Sequence, residues 1–157
     1  MKKVLVVMGS DSDLKVMEKC VDRLKSFDIP VEVRICSAHR TPAVAEQLAK
    51  NAAEEGFGVI IAAAGKAAHL GGVLAAYTTL PVIGVPMATS VMGGMDSLLS
   101  IVQMPKGIPV ATVAIDGADN AAILAAQMIA LSDEALAAKL AAFKADMAAE
   151  VTAKDEK

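Results

Sequence analysis

The stretch from Val4 to Asp13, VLVVMGSDSD, constrains the fold more than any other part of the sequence. Five apolar residues, 4–8, follow one another without polar alternation, which is typical of a strand buried on both faces of a parallel sheet. Gly9 permits a tight turn, and the four residues after it are N-cap types directly before a helical pattern. The stretch therefore predicts a strand, a turn and a helix, with the turn at the sheet edge where open α/β folds bind ligands.

The turn residues Ser10, Asp11, Ser12 and Asp13 favour a ligand that carries both a phosphate and hydroxyl groups. Backbone N–H groups and serine hydroxyls bind a phosphate, whereas aspartates repel one and accept hydrogen bonds from hydroxyls. A sugar phosphate or a mononucleotide satisfies both requirements. The alternative is that these four residues only cap the helix, as such residues do in many proteins without a ligand.

Apolar runs alternate with helical patterns along the rest of the chain. Short strands alternating with helices predict a three-layer α/β, flavodoxin-like domain with a five-stranded parallel sheet and a C-terminal extension helix. The predicted strands are 4–8, 31–36, 58–64, 81–85 and 109–115. The predicted helices are 14–27, 42–55, a small-residue helix within 65–78, one that Asp96 or Ser97 caps and that ends before Pro105, 118–131, and 132–151 behind Ser132.

Composition bounds the class of protein and its partners. With 157 residues the chain is long enough for a single domain, 1–157, with a full core. A formal net charge of -3 and the lack of a long basic run argue against nucleic acid as a partner. Hydrophobic residues make up 55% of the chain, which is high for a monomer whose surface must be polar, so we expect a homo-oligomer.

Neither a membrane nor an oxidising compartment is indicated. The segment 67–95 contains no Asp, Glu, Lys or Arg, but Pro81, Pro86 and several glycines divide it into pieces too short to span a bilayer. Cys20 and Cys36 have no metal-like spacing, and we interpret them as reduced structural thiols. A cytoplasmic protein is the interpretation that agrees with both observations.

Residues that could carry chemistry follow three predicted strands, whose carboxyl ends meet at one edge. Arginine binds phosphate in a bidentate manner, serines add hydroxyl donors, and histidine is the side chain that suits proton transfer at neutral pH. The alternatives are a structural turn histidine and a solvated surface arginine. The candidates are Ser10, Ser12 and Asp13 after the first strand, Ser37, His39 and Arg40 after the second, and Gly65 and Lys66 after the third.

Two residues after the third strand, Lys66 and His69, leave alternatives open. Lys66 either approaches a ligand carboxylate or, as we prefer, points to water. His69 either faces the site or simply lies in a helix. The methionines near the fourth crossover are interpreted as packing or interface residues rather than as a cofactor site; they are Met87, Met92, Met95 and Met104.

Several kinds of chemistry are excluded by missing motifs. A phosphoryl-accepting receiver needs an acid at the end of the third strand, where this chain has Ala64 and Gly65. No GxSxG elbow, Walker loop, HExxH or paired-cysteine motif occurs, and one Tyr, three Phe and no Trp offer little stacking for a flavin. What remains is phosphate, hydroxyl and proton-transfer chemistry, for which we expect no metal and no redox cofactor.

Five motifs together resemble one known family. GSDSD, SAHRTP, AAHL, LPVIGVP and DSLLSIVQMP occur in the order and spacing of the N5-carboxyaminoimidazole ribonucleotide mutases of bacterial purine synthesis, and the similarity extends from Val4 to about Leu131. The resemblance implies a flavodoxin-like subunit in a homo-octamer, with the active site near subunit contacts. The implied reaction moves a carboxyl group from the exocyclic nitrogen of an aminoimidazole ribonucleotide to the adjacent ring carbon, through release and recapture of carbon dioxide.

The same resemblance implies a role for each matching residue. Ser10, Asp13 and Arg40 would bind the substrate, with Asp13 on the ribose hydroxyls and Arg40, Ser12 and Ser37 on the phosphate. His39 would be the general acid and base. The backbone around Gly65 would line the carboxylate pocket.

Two departures from the family pattern matter for the site. Mutases of the family read AGAGGAAHLPGM where this chain has AAAGKAAHLGGV, so Lys66 and Gly71 replace a Gly and a Pro. A related class, which adds free carbon dioxide directly to the unmodified ribonucleotide, differs in this same loop. Direct carboxylation is therefore an alternative to carboxyl migration, and a catalytically silent nucleotide-binding module is a third.

Overall fold

The computed structural model describes the whole chain, Met1–Lys157, and contains one five-stranded parallel sheet in the order β2-β1-β3-β4-β5. This is the strand order of flavodoxin-like folds and confirms the predicted fold class. The strands are β1 (Lys3–Met8), β2 (Val31–Ile35), β3 (Phe57–Ala64), β4 (Val82–Pro86) and β5 (Ala111–Thr112). The helices are α1 (Leu14–Ser26), α2 (Pro42–Asn51), α3 (Leu70–Tyr77), α4 (Met95–Val102), α5 (Ala118–Ala130) and α6 (Glu134–Asp155).

The sheet separates two hydrophobic cores, which makes the domain three layers thick. Alternate residues of β1 enter opposite cores because successive side chains of a strand point to opposite faces. Val4 and Val6 pack into the core that α1 and α5 cover, whereas Leu5 and Val7 pack into the core that α2 and α3 cover. The uninterrupted apolar run of β1 is thus explained by burial on both faces.

Helix α5 buries one face against the rest of the domain. Five alanines and Ile129 along that face are buried, and their small side chains let α5 lie close to α1. The two helices are also joined by an ion pair in which Arg23 Nε lies 2.8 Å from Asp119 Oδ1. Burial raises the pKa of the Cys20 thiol, which lies on α1, to about 12, and the negative charge of Asp119 adds to this effect.

Element boundaries differ from the predictions where long-range contacts decide them. Helix α4 is preceded by Gly94, with φ of 104°, rather than capped by Asp96 or Ser97. The N-cap of α6 is Asp133 instead of Ser132, and its carboxylate accepts a hydrogen bond from the Leu136 N–H at 2.9 Å. Helix α6 also continues to Asp155, four residues beyond its predicted end at Val151.

Three further elements are shorter than predicted. Helix α2 ends at Asn51, and turns carry the chain to Gly56. Helix α3 starts only at Leu70, and the left-handed conformation of Lys66, with φ of 56°, prevents a right-handed helix from running through the start of the predicted segment. Strand β5 pairs through two residues only, on the outer edge of the sheet.

No helix of the chain is both long enough and apolar enough to serve as a membrane span. Cys20 and Cys36 are buried and form no disulfide, in agreement with their interpretation as reduced thiols.

Candidate active site

The carboxyl ends of four neighbouring strands open onto one cavity of about 390 Å³, which is a typical volume for a small-molecule site. The parallel sheet explains the convergence, since every strand delivers the loop that follows it to the same edge. All the residues that the sequence singled out for the site line this cavity, including Lys66 and His69, for which alternatives were open; the others are Ser10, Ser12, Asp13, Ser37, His39, Arg40 and Gly65.

The loop after β1 forms a single turn of 3₁₀ helix, Asp11–Asp13, that leads directly into α1. Ser10 is its N-cap and accepts a hydrogen bond from the Ser12 N–H at 3.3 Å, and the two serine hydroxyl oxygens lie 2.9 Å apart. The capping alternative and the ligand-binding prediction are therefore compatible, because the residue that caps the turn also lines the cavity.

Asp13 makes no capping hydrogen bond with its side chain, so its carboxylate is available to a ligand. Burial raises the pKa of this carboxyl above its ordinary range, and the negative charge of Asp116 raises it further. Ligand hydroxyl groups that donate to the carboxylate would replace the water it has lost and stabilise its charge.

The loop after β2 is held by hydrogen bonds between Ser37 and Thr41. The Thr41 hydroxyl accepts from the Ser37 N–H at 3.1 Å and donates to the Ser37 carbonyl at 2.9 Å. The Ser37 hydroxyl in turn accepts from the Arg40 N–H at 3.1 Å. This leaves the hydroxyl hydrogen of Ser37 free to donate to a ligand, and the exposed guanidinium of Arg40 forms no ion pair within the chain.

Close packing at Gly65 explains why a glycine follows β3. A Cβ atom at this position would lie 3.2 Å from Thr89 Cγ2 and 3.7 Å from Met87 Cβ. A side chain here would press on the Thr89 methyl group, so glycine suits the close approach of this loop to the loop after β4. The next residue, Lys66, is exposed, lines the cavity and forms no ion pair.

The two histidines of the chain meet in the cavity, although thirty positions separate them in sequence. His39 Nε2 lies 2.8 Å from His69 Nδ1, and the two rings are nearly perpendicular, at 89°. His69 therefore faces the site, which decides between the two alternatives left open by the sequence. Its ring makes no capping hydrogen bond to α3.

Two parts of the site were missed by the sequence analysis. The loop after β4 contributes Met87, Ala88 and Thr89 to the cavity wall. Asp116, with φ of 57°, accepts a hydrogen bond from the Ala88 N–H at 2.9 Å and so supports that loop from the end of the β5 segment. Both segments follow predicted strands, and the position of strand ends was the signal that could have revealed them.

The cavity offers hydroxyls, carboxylate, guanidinium and imidazole groups, but no three His, Cys, Asp or Glu side chains lie close enough together to hold a metal ion. The fold and the cavity define a doubly wound α/β protein with a site for a small ligand that carries phosphate and hydroxyl groups. The sequence model of the AIR carboxylase family matches residues 3–150, and the chain belongs to this family.

Similar proteins agree with this assignment. The chain is 55% identical over 153 residues to the N5-carboxyaminoimidazole ribonucleotide mutase of Mycobacterium leprae, covering 98% of this chain and 90% of the relative. It is 53% identical over 154 residues to the mutase of the same name from Methanocaldococcus jannaschii, covering 98% and 96%. The crystal structure of Treponema denticola PurE superposes with a TM-score of 0.87 at 29% identity, covering 98% of this chain and 96% of that chain. The resemblance inferred from the five motifs is confirmed.

Proposed function

We propose that the protein is an isomerase of purine biosynthesis, a mutase that converts N5-carboxyaminoimidazole ribonucleotide to 4-carboxyaminoimidazole ribonucleotide. The observation that carries the proposal is the convergence of Ser10, Asp13, His39, Arg40 and Gly65 on one cavity. These groups supply an anion site, an acceptor for hydroxyls and a proton-transfer group, which are the functions the carboxyl migration needs.

The ribonucleotide is held at its two polar ends. The phosphate binds to the unpaired guanidinium of Arg40, with donated hydrogen bonds from the hydroxyls of Ser12 and Ser37. The ribose hydroxyls donate to the Asp13 carboxylate, and Ser10 lies between these two sets of contacts in the same turn. The phosphate and ribose contacts do not change during the reaction, so they orient the aminoimidazole ring toward His39.

His39 donates a proton to the exocyclic nitrogen, which loses the carboxyl group, and removes a proton from the ring carbon, which gains it. The imidazolium donates a proton to the exocyclic nitrogen as the bond from that nitrogen to the carboxyl carbon breaks, which releases carbon dioxide. The adjacent ring carbon attacks the carbon dioxide, and the neutral imidazole then removes the proton from that carbon. The proton lost in the first half is regained in the second, so the scheme consumes no co-reactant.

The carboxylate pocket is formed by backbone at Gly65 and the neighbouring alanines. Small side chains allow this backbone to approach the released carbon dioxide, and exclusion of water from the pocket keeps it beside the ring carbon. Lys66 adds a positive charge to the wall of this pocket.

Lys66 is also the observation that favours a second candidate function. A cation at the pocket attracts bicarbonate or a carboxylate from solution, which suits direct carboxylation of aminoimidazole ribonucleotide. The third candidate, a nucleotide-binding module, would use the same phosphate and ribose contacts without turnover.

A comparison of two substrates tests the three candidates. The protein is incubated with N5-carboxyaminoimidazole ribonucleotide in one reaction and with aminoimidazole ribonucleotide plus bicarbonate in another, with the His39→Asn variant as the control for spontaneous loss of the carboxyl group. Turnover of the first substrate supports the mutase, and turnover of the second alone identifies a carboxylase. Product binding without turnover of either identifies a binding module.

Isotopic labelling sharpens the same experiment. The mutase reaction is run with unlabelled substrate in ¹³C-bicarbonate, and the product is examined by mass spectrometry. An unlabelled product supports transfer within a closed pocket, whereas full exchange with the labelled pool contradicts it.

We further propose that the subunits assemble into a homo-octamer in the cytoplasm, as the family resemblance implies. In support, large apolar side chains are exposed side by side before and along α4, where Val91 is 77% exposed. The other exposed apolar residues of this surface are Met92, Met95, Leu99 and Val102. Light scattering at micromolar concentration should give eight times the subunit mass of 16.1 kDa, and a monomer would contradict the proposal.

A further inference from the structure

Asp116 holds the segment that follows β4 at two points. Its backbone N–H donates a hydrogen bond to the Pro86 carbonyl at 2.8 Å, and its carboxylate Oδ1 accepts one from the Ala88 N–H at 2.9 Å. The two bonds lie on either side of Met87, which is buried. A single residue after β5 thus fixes the main chain where β4 ends and the wall of the cavity begins.

The bond to Ala88 is the last one that ties the main chain of this segment to the sheet. Beyond it, residues 89–93 form main-chain hydrogen bonds only within the turn that leads into α4, as in the bond from the Gly93 N–H to the Thr89 carbonyl at 2.9 Å. The Asp116 carboxylate therefore sets the position from which this turn leaves the sheet.

The segment that Asp116 holds lies directly against Gly65. A Cβ atom built at Gly65 would be 3.2 Å from Thr89 Cγ2 and 3.7 Å from Met87 Cβ, so the two loops leave little space between them. Both Thr89 and Met87 line the cavity, next to the backbone that forms the proposed carboxylate pocket. An outward shift of Thr89 would open a gap beside Gly65, through which carbon dioxide could leave.

The backbone of Asp116 gives an independent reason to look for a role of its side chain. Its φ of 57° lies in the left-handed region, which glycine adopts without the steric cost that a Cβ brings. Aspartate and asparagine tolerate this conformation better than other residues with a Cβ, because their short polar side chains can form local hydrogen bonds. The contact that the Asp116 side chain makes is the one with Ala88.

We propose that Asp116 is a positioning residue that holds the segment after β4 against Gly65 and so keeps the carboxylate pocket closed during the carboxyl migration. The inference rests on the proposed function, because it concerns the carbon dioxide that the migration releases. Asp116 does not itself line the cavity, so it acts through Ala88 and the residues on either side of it.

The fate of the substrate carboxyl group measures whether the pocket is closed. The exocyclic nitrogen takes a proton from His39 as its bond to the carboxyl carbon breaks, which gives aminoimidazole ribonucleotide and carbon dioxide. Retained carbon dioxide bonds to the ring carbon, whose proton returns to His39. If carbon dioxide escapes, aminoimidazole ribonucleotide is the end product and His39 regains its proton from water. The ratio of carboxylated to decarboxylated nucleotide, measured by chromatography and corrected for spontaneous loss, reports the closure.

Asp116→Gly removes the carboxylate and leaves a residue that accepts the left-handed backbone. We expect the ratio of carboxylated to decarboxylated nucleotide to fall roughly 10- to 100-fold, because small displacements at a reacting centre have effects of this size. KM and product affinity should stay nearly unchanged, since the phosphate and ribose contacts come from the loops after β1 and β2. The urea midpoint should stay close to that of wild type, because relief of backbone strain offsets the lost hydrogen bond.

Asp116→Asn separates the position of the loop from the charge of the carboxylate. The asparagine side chain keeps an oxygen that can accept from the Ala88 N–H and tolerates the left-handed backbone. It removes the negative charge, which, after burial, raises the pKa of Asp13. We expect Asp116→Asn to restore the product ratio to near the wild-type value.

Asp28→Gly is the matched control. Asp28 is also an exposed aspartate with left-handed backbone, φ of 58°, and its carboxylate pairs with Lys139 of α6. It precedes β2 and so lies at the edge of the sheet opposite the cavity. The same substitution there should leave the product ratio unchanged. A wild-type ratio in Asp116→Gly, an equal fall in Asp28→Gly, or a fall in Asp116→Asn as large as in Asp116→Gly would each overturn the inference.

Hydrogen exchange of the Ala88 amide, followed by NMR, gives a readout that needs no turnover. We expect exchange to be faster in Asp116→Gly than in wild type and nearly unchanged in Asp116→Asn and Asp28→Gly. Equal exchange rates in Asp116→Gly and wild type would refute the inference. If exchange is faster in Asp116→Gly while wild type converts neither substrate, the proposed function fails and the closure of the pocket fails with it, but the anchoring of the loop by Asp116 stands.

Discussion

The backbone N–H of Ala68 donates a hydrogen bond to the side-chain hydroxyl of Ser100, with a distance of 2.9 Å. Ala68 is buried, and its partner lies on α4, thirty-two positions further along the chain. The contact ties the loop that contains Gly65, Lys66 and His69 to a helix on the other side of the cavity wall. A residue remote from the substrate thus holds the loop that forms the proposed carboxylate pocket.

Ser100→Ala should therefore weaken both stability and turnover. Loss of the hydroxyl leaves the buried Ala68 N–H without a partner, which costs about 1–3 kcal/mol in the free energy of unfolding measured with urea. Thr152→Ala is the matched control, because the Thr152 hydroxyl makes a similar bond to a carbonyl one turn earlier, at 3.0 Å, but no contact to another element. Equal effects of the two substitutions would show that the loop does not depend on Ser100.

His39→Asn should retain the affinity for the product nucleotide and lose most turnover. The phosphate and ribose contacts do not involve this side chain, whereas loss of the general acid and base lowers kcat by about 10²- to 10⁴-fold. Calorimetry of product binding and initial rates measure the two effects separately. Near-normal rates in the variant would remove His39 from the mechanism.

Asp13→Asn should change how stability depends on pH. Because burial, and then Asp116, raise the pKa of Asp13 in the folded state, the folded protein binds this proton more tightly than the unfolded chain. The wild type therefore loses stability as pH rises from about 4, the unfolded value, through the raised folded value. We expect the asparagine variant to gain most relative to wild type at neutral pH and to lose that gain in acid, in urea titrations at each pH.

Asp11→Asn provides the comparison for that experiment. Asp11 is an exposed carboxylate in the same turn and does not line the cavity. Asp11→Asn removes the same charge from the turn as Asp13→Asn does. If stability depends on pH in the same way in both variants, the effect comes from the net charge of the turn and not from the burial of Asp13. Nucleotide binding should weaken only in Asp13→Asn, which loses an acceptor for the ribose hydroxyls.

Lys66→Gly should stabilise the protein. Lys66 has φ of 56°, and left-handed backbone costs a residue with a Cβ about 1–2 kcal/mol, part of which glycine recovers. We expect a gain of about 1 kcal/mol in the unfolding free energy, whereas Lys66→Ala, which removes the charge but not the strain, should give none. Both variants lack the positive charge. If both turn over N5-carboxyaminoimidazole ribonucleotide faster, relative to aminoimidazole ribonucleotide plus bicarbonate, than wild type does, direct carboxylation depends on the charge of Lys66.

Gly84→Ala should destabilise the sheet. A Cβ at Gly84 would overlap Ile101 Cγ2 and lie 3.0 Å from Val110 Cγ1, between β4 and the helix that covers it. Overpacking of this kind costs about 1–3 kcal/mol, measurable as a lower urea midpoint. Gly71→Ala is the control, because its nearest neighbours, Ala62 Cβ and Val110 Cγ1, lie at 3.7 Å and leave room for a methyl group.

Local sequence pattern predicted the elements that carry the site. The apolar runs of β1 and β3 and the polar residues directly after them are visible in short windows, and parallel strands bring such residues together without further information. Ser10, His39 and Gly65 could be assigned to one cavity for this reason.

The remaining features depend on contacts between distant segments. Two of these contacts join residues about thirty positions apart, which no periodic pattern in the sequence predicts. They are the hydrogen bond between Ala68 and Ser100 and the contact between His39 and His69. Asp116 is tied to the loop after β4 through the Ala88 N–H, a contact across twenty-eight positions that local pattern does not predict. Packing between elements, rather than propensity within them, decided these cases.

The exposure of His39 and Arg40 in a single subunit has a consequence for the efficiency of the reaction. Solvent reaches the side chains beside which carbon dioxide would be released. A subunit on its own would therefore lose carbon dioxide to solvent and consume the substrate without forming product. Neighbouring subunits that cover this opening would then protect the yield per molecule of substrate, and not merely the speed of its conversion.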